Sequence, residues 1–258
     1  MPRTRFALPL LLLATTTAHA QDYGSGWAVP TIDIAASIGN DVITREIGLE
    51  VLRKEQGRPA SAAATPRATD PHSASLFGSA MTAPRNTKPT DTSFARDPQA
   101  SDTARRNILA ALARRQPEAV AEYRPVIEKM EFGRAFADVT KGYRLRGDDL
   151  TDTMAAYWVM AWVIANKADL PPPATAAAVR DQVARGIALT PVAGYDATRR
   201  QVLADELIFN FLILNASWRN EQAGPRYPRL SDGVQSSFLP LGADLRRLTL
   251  SPGGFARH

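Results

Sequence analysis

The chain has 258 residues, no cysteine, three histidines (His19, His72 and His258) and a formal net charge of +5. With no thiol and so little imidazole, its composition excludes disulfide reinforcement, Cys-His dyads, Ser-His-Asp triads and ordinary zinc sites from the body of the chain. The charge falls to +3 once Arg3 and Arg5 leave with the leader described next, and it is scattered over mixed-sign segments, which excludes the basic stripe that nucleic-acid binding needs.

Met1 to Arg5 gives a short positive start, Phe6 to Leu13 is apolar except for Pro9, and Ala18-His19-Ala20 has the small-x-small form of a cleavage site. These are the three parts of a secretory signal peptide, so residues 1–20 are expected to be removed and the mature chain to begin at Gln21, in the periplasm or outside the cell. The apolar run is far shorter than the roughly 20 residues that cross a bilayer, and no cysteine follows it to carry lipid. No transmembrane segment is expected in the mature chain.

Residues 21–56 form a short N-terminal segment. Ile34, Ile38 and Val42, then Ile43, Ile47 and Val51, recur at four-residue steps, with a break at Gly39-Asn40-Asp41. The spacing predicts one helix over Asp41 to Lys54, either folding back on the main domain or serving as a tethered recognition helix. Residues 57–101 carry six Pro, six Ser, six Thr and ten Ala in 45 positions, a composition that buries too little apolar surface to offset chain entropy. This stretch is expected to be a disordered spacer, which leaves His72 without a structured role.

Residues 102–258 read as a helical domain. Ser101-Asp102 offers a helix cap ahead of Ile108, Leu109 and Leu112; Pro117 opens a second helix, which Pro125 is expected to bend or split; Phe132, Phe136 and Val139 continue the pattern. Gly147-Asp148-Asp149 predicts a turn and cap before Ala155 to Ala165, apolar on every side and therefore central to a core. Pro171-Pro172-Pro173 ends that region. Ala174 to Leu189 is amphipathic, Asp196 caps a long helix to about Asn220, and Ser231 to Leu239 predicts one more. Leu245, Leu248 and Leu250 before Ser251-Pro252-Gly253-Gly254-Phe255 predict a short extended C-terminal arm. The expected fold is all-α: a single helical bundle or array of about five to seven helices with that arm, behind the spacer.

No phosphate-binding glycine loop occurs, and neither a cofactor nor a metal is implied: Asp148, Asp149 and Asp152 lack calcium-loop spacing and are better read as caps. Carboxylate chemistry survives, because two acids with separated pKa values suffice to cleave a glycan. Glu206, beside the most apolar turn of the long helix, is the candidate acid; Asp205 points about 100° away, so a second acid would have to come from Asp149 or Asp152. Asn210 shares the stripe of Glu206, either as a polar group aimed into a groove or as a satisfied buried amide. Trp158 and Trp162 lie on one stripe, either as core or as a stacking platform. Asn166 and Asn215 have helix-capping as the favoured role.

The export signal, the low-complexity stretch, Tyr157-Trp158-Val159-Met160-Ala161-Trp162-Val163-Ile164-Ala165-Asn166 and Leu248-Thr249-Leu250-Ser251-Pro252-Gly253-Gly254-Phe255 together resemble an uncharacterised family of exported proteobacterial helical proteins, a domain of unknown function. The resemblance covers roughly Asp102 to Phe255. It implies compartment and fold, and carries no activity or site residue. The expected function is non-enzymatic: an envelope-associated or secreted helical domain that binds a protein partner, with no nucleic acid involved. The alternative is a carboxylate-dependent cell-wall glycan hydrolase.

Overall fold

A computed structural model describes residues 76–257. The expected leader, the helix expected over Asp41 to Lys54, the first part of the expected spacer and His258 lie outside the described residues. Eight α-helices and one hairpin follow in order: α1 (Leu76–Thr82), α2 (Pro98–Arg115), α3 (Val120–Lys129), α4 (Phe132–Val139), α5 (Leu150–Asn166), α6 (Pro173–Ile187), α7 (Ala197–Glu221), α8 (Tyr227–Phe238), β1 (Leu248–Ser251) and β2 (Gly254–Arg257).

Two helices organise the rest. In α5 every residue except Trp162 and Asn166 is buried, as its apolar sequence requires, and it packs along α7 with α6 and α8 on its other sides. Helix α7 carries α2 and α4 on its remaining faces, and α3 leans on α2. Asp196 caps α7 through the amide of Arg199 (2.8 Å). Pro125 lies inside α3 without dividing it; the split falls earlier, where Pro117–Ala119 forms a separate 3₁₀ turn. The all-α array with a short extended arm is thus the observed fold. No described helix is long and apolar enough to cross a membrane.

The domain begins earlier than its composition implies. Of the stretch 57–101 expected to be spacer, the part from Leu76 onward is ordered: Leu76 and Phe77 are buried and the Phe77 ring lies 4.7 Å from that of Trp158. Helix α1 lies on α6 so closely that a Cβ on Gly186 would come within 2.5 Å of the Ala80 Cα. Ser93 then forms an antiparallel bridge with Asp149, with the Phe94 amide donating to the Asp148 carbonyl (3.0 Å). Helix α2 starts at Pro98 with Asp97 as its cap (3.0 Å to the Gln99 amide), not at Ser101-Asp102. Proline at the first helical position after an aspartate is a favoured start, and a composition averaged over 45 residues conceals both it and the few apolar anchors.

The C-terminal arm is an antiparallel hairpin pairing Leu250 with Phe255. Gly254 sits at φ 92°, in the left-handed region. The Gln182 side chain of α6 accepts from the Phe255 amide (2.9 Å) and donates to its carbonyl (3.1 Å), acting as one more strand partner. The Trp162 indole donates to the Leu248 carbonyl (2.9 Å), and the Asn166 amide donates to the Trp162 and Leu245 carbonyls (3.0 and 3.1 Å).

Candidate functional site

The carboxylates are the place to look for chemistry, and they gather in three buried groups. The first sits at the start of α5. Asp149 caps the helix, accepting from the amides of Thr151 (2.9 Å) and Asp152 (3.4 Å) and from the Thr92 hydroxyl (2.7 Å), while Arg146 lies 2.8 Å from its other oxygen. Asp152, one turn on, accepts from the Arg146 amide (2.9 Å) and from the Arg180 guanidinium of α6. Burial pushes the Asp152 carboxyl above its ordinary value, opposed by the Arg146 amide and reinforced by the charge of Asp149. A polar opening of about 290 Å³ adjoins this group, lined by Asp91, Thr92, Asp149, Thr151, Arg180 and Asp181 among others. All four oxygens of Asp149 and Asp152 are already engaged, so the group clamps α5 to α6 and to the Thr92 segment.

The second group ties α2 to α7. Asp205, fully buried, accepts from the Arg96 guanidinium and from the Ser101 hydroxyl (2.7 Å). Gln201 donates to the Ser101 hydroxyl (3.0 Å) and the Asp97 carbonyl (2.8 Å) and accepts from the Asp97 amide (2.7 Å). Burial raises the Asp205 carboxyl, with Arg96 as the main opposing influence.

The third group holds the expected site residues. Glu206 is fully buried in α7, and one carboxylate oxygen accepts from the Asn107 amide of α2 (2.7 Å). Asn210 is also fully buried and donates back to the Glu206 carbonyl within its own helix (2.7 Å). The residue expected as a general acid on a glycan thus has its carboxyl enclosed between α2 and α7. The Asn210 amide oxygen is buried with no hydrogen-bond partner among the described residues.

Of the tryptophans read as either core or stacking platform, Trp158 is buried against Phe77, and Trp162 is half-buried with its indole nitrogen engaged by the hairpin. Asn215 lies mid-helix in α7 rather than at its end, near the Met160 sulfur (3.9 Å). Among the described residues no three His, Cys, Asp or Glu side chains are grouped as a metal ion would require.

What the sequence did not single out is an apolar groove between the end of α4, the turn before α5, and helices α5 and α7. Val139, Leu145, Val159, Met160 and Phe211 wall it, and the Tyr143 hydroxyl closes one side by donating to the Pro171 carbonyl (3.0 Å). Its volume of about 60 Å³ falls well below the roughly 300–1,000 Å³ of small-molecule sites, so it suits an aliphatic side chain rather than a cofactor. Leu170 is 43 % exposed on its rim. Lys141 and Arg144, on the same turn as Thr140, Tyr143 and Leu145, are exposed and have no ion pair among the described residues. The only hint in the sequence was the presence of Leu145 and Leu170 within turns otherwise rich in polar residues and proline.

Comparison with protein-family models, with curated proteins and with solved structures finds no match to this chain.

Proposed function

We propose that the protein is an exported, non-enzymatic binding domain of the cell envelope or its surroundings, its leader removed after Ala20. In this reading the apolar groove receives an aliphatic side chain from an amphipathic segment of a partner protein, one whose apolar stripe is flanked by carboxylates. The observation that carries it is the pairing of the groove with its surroundings: an exposed Leu170 beside a small apolar recess, and two exposed cations, Lys141 and Arg144, with no ion pair among the described residues, on the turn that supplies Thr140, Tyr143 and Leu145 to the lining. Apolar contact would supply affinity and the two charges orientation and encounter rate. The burial of Asp205 and Glu206 and the hydrogen-bonded, ion-paired state of Asp149 and Asp152 favour the same reading over glycan cleavage. The resemblance to an exported proteobacterial family is proposed for compartment alone.

The test is a photo-cross-linking side chain at position 170 of the full chain, exported by a producing cell. The expected result is a discrete adduct with one envelope protein, reduced about tenfold by the double reversal Lys141→Glu with Arg144→Glu, about 1.4 kcal/mol. Absence of any adduct with another protein, or an adduct indifferent to the reversal, would overturn the reading.

A further inference from the structure

We propose that residues 41–54 of this same chain occupy the apolar groove when no partner is bound, making the N-terminal segment a built-in competitor for the site; this rests on the binding reading above. On a helix Ile43, Ile47 and Val51 make one stripe, Glu46 and Glu50 run alongside it one turn apart, and the basic residues Arg53 and Lys54 come only at its C-terminal end, so the acidic flank lies over its first three turns. The stripe offers an aliphatic side chain for the recess of about 60 Å³, and Glu46 and Glu50 offer carboxylates to Lys141 and Arg144 on the turn that supplies Thr140, Tyr143 and Leu145 to its lining.

The path of the chain permits the contact. The described residues begin at Leu76 in α1, which lies on α6 with Ala80 against Gly186. Ala176, which lines the groove, is ten residues nearer the start of the same helix, so about 15 Å away along its axis. Residues 55–75 can reach about 70 Å when extended. A segment attached at that distance competes at high effective concentration, so weak complementarity suffices to cover the groove, and a partner must displace it.

The absence of cysteine makes the test direct. In the full chain, Ile47→Cys is combined with Leu170→Cys, and in a control with Leu189→Cys, a leucine 54 % exposed that does not line the groove. After mild oxidation the first pair is expected to form an intramolecular disulfide at least about tenfold faster than the control, since the bond requires Cα atoms within roughly 7 Å. Equal rates, or only disulfide-linked dimers that show a second copy as the occupant, would overturn the proposal. Unchanged melting and helicity establish that both variants fold. Ile47→Asp is also expected to raise the partner adduct at position 170 several-fold, and an unchanged adduct counts against the competitor. A chain that forms the disulfide but no partner adduct would retain the intramolecular contact and sink the partner reading, so the two failures are distinguishable.

Discussion

Asp205, with no solvent exposure, is reached from outside its helix by Arg96, whose side chain remains 31 % exposed. The pair fastens the segment ahead of α2 to the middle of α7, and the two partners are unequal. Arg96→Ala leaves a buried carboxylate without its cation and is expected to cost about 3–5 kcal/mol at pH 7, whereas Asp205→Asn, which keeps a polar group for Ser101 and frees Arg96 to water, costs less. The pH dependence gives the sign. Burial already raises the Asp205 carboxyl above its ordinary value, so the folded state binds its proton more tightly than the unfolded chain, and this stabilisation is lost as pH rises through the folded value. Without Arg96 the value climbs further, so thermal melts should show the deficit of Arg96→Ala shrinking as pH falls from 7. A deficit independent of pH would mean that Asp205 is not the group responsible.

Gly186→Ala would place a Cβ 2.5 Å from the Ala80 Cα, a backbone atom of α1 that cannot swing aside. Overpacking of this kind costs about 1–3 kcal/mol. Hydrogen exchange should show the change concentrated in residues 76–82, with α5 and α7 protected as before. Equal loosening throughout would mean that α1 does not open separately.

Trp162→Phe leaves a smaller aromatic ring in place and removes the donor that meets the Leu248 carbonyl at 2.9 Å. The expected loss is about 1 kcal/mol. Faster amide exchange in residues 248–257 locates it, and an unaffected hairpin would show that the arm is held without the Trp162 bond.

A chain begun at Asp102 discards α1, Thr92 and Arg96, stripping Phe77 from Trp158 and the cation from Asp205. It is expected to lose on the order of 5 kcal/mol or more, or to remain unfolded, while one begun at Leu76 keeps its melting transition. Circular dichroism melts of the two compare them directly, and similar midpoints would show that residues 76–101 add nothing to the fold.

Glu206→Gln retains an acceptor for the Asn107 amide and alters no solvent-facing group. If the purified protein clears a peptidoglycan suspension at all, the variant is expected to clear it at the same rate. Loss of clearance in a normally folded Glu206→Gln chain would reinstate the carboxylate reading.

Much of the fold was legible from the chain because apolar periodicity and caps are local signals. The all-apolar run of α5, Asp149 before it and Asp196 before α7 each state their role within a few residues. Phe77 and Thr92 could not be read that way: each is a single residue in a polar stretch, and its partner, Trp158 or Asp149, lies far along the chain. The Asp97-Pro98 start was legible and was outweighed by the composition around it.

The candidate site was less legible for a related reason. Glu206 and Asn210 stood out because polar residues interrupt an apolar run, yet the interruption marks a helix interface, where Asn107 supplies the partner. The groove is made of ordinary residues, Val139, Leu145 and Phe211 among them, and its shape depends on how α4, α5 and α7 cross. Helix crossing is not written in any one segment.

The rings of Phe77 and Phe255 lie 6.1 Å apart, so the first and last elements of the described domain are neighbours on α6. Joining them by a short linker and reopening the chain at an exposed turn, such as that holding Leu189, should yield a circular permutant with the same melting behaviour. The same adjacency places anything fused after residue 257 beside the point where residues 1–75 meet the domain. A reporter attached there would sense the position of the N-terminal segment.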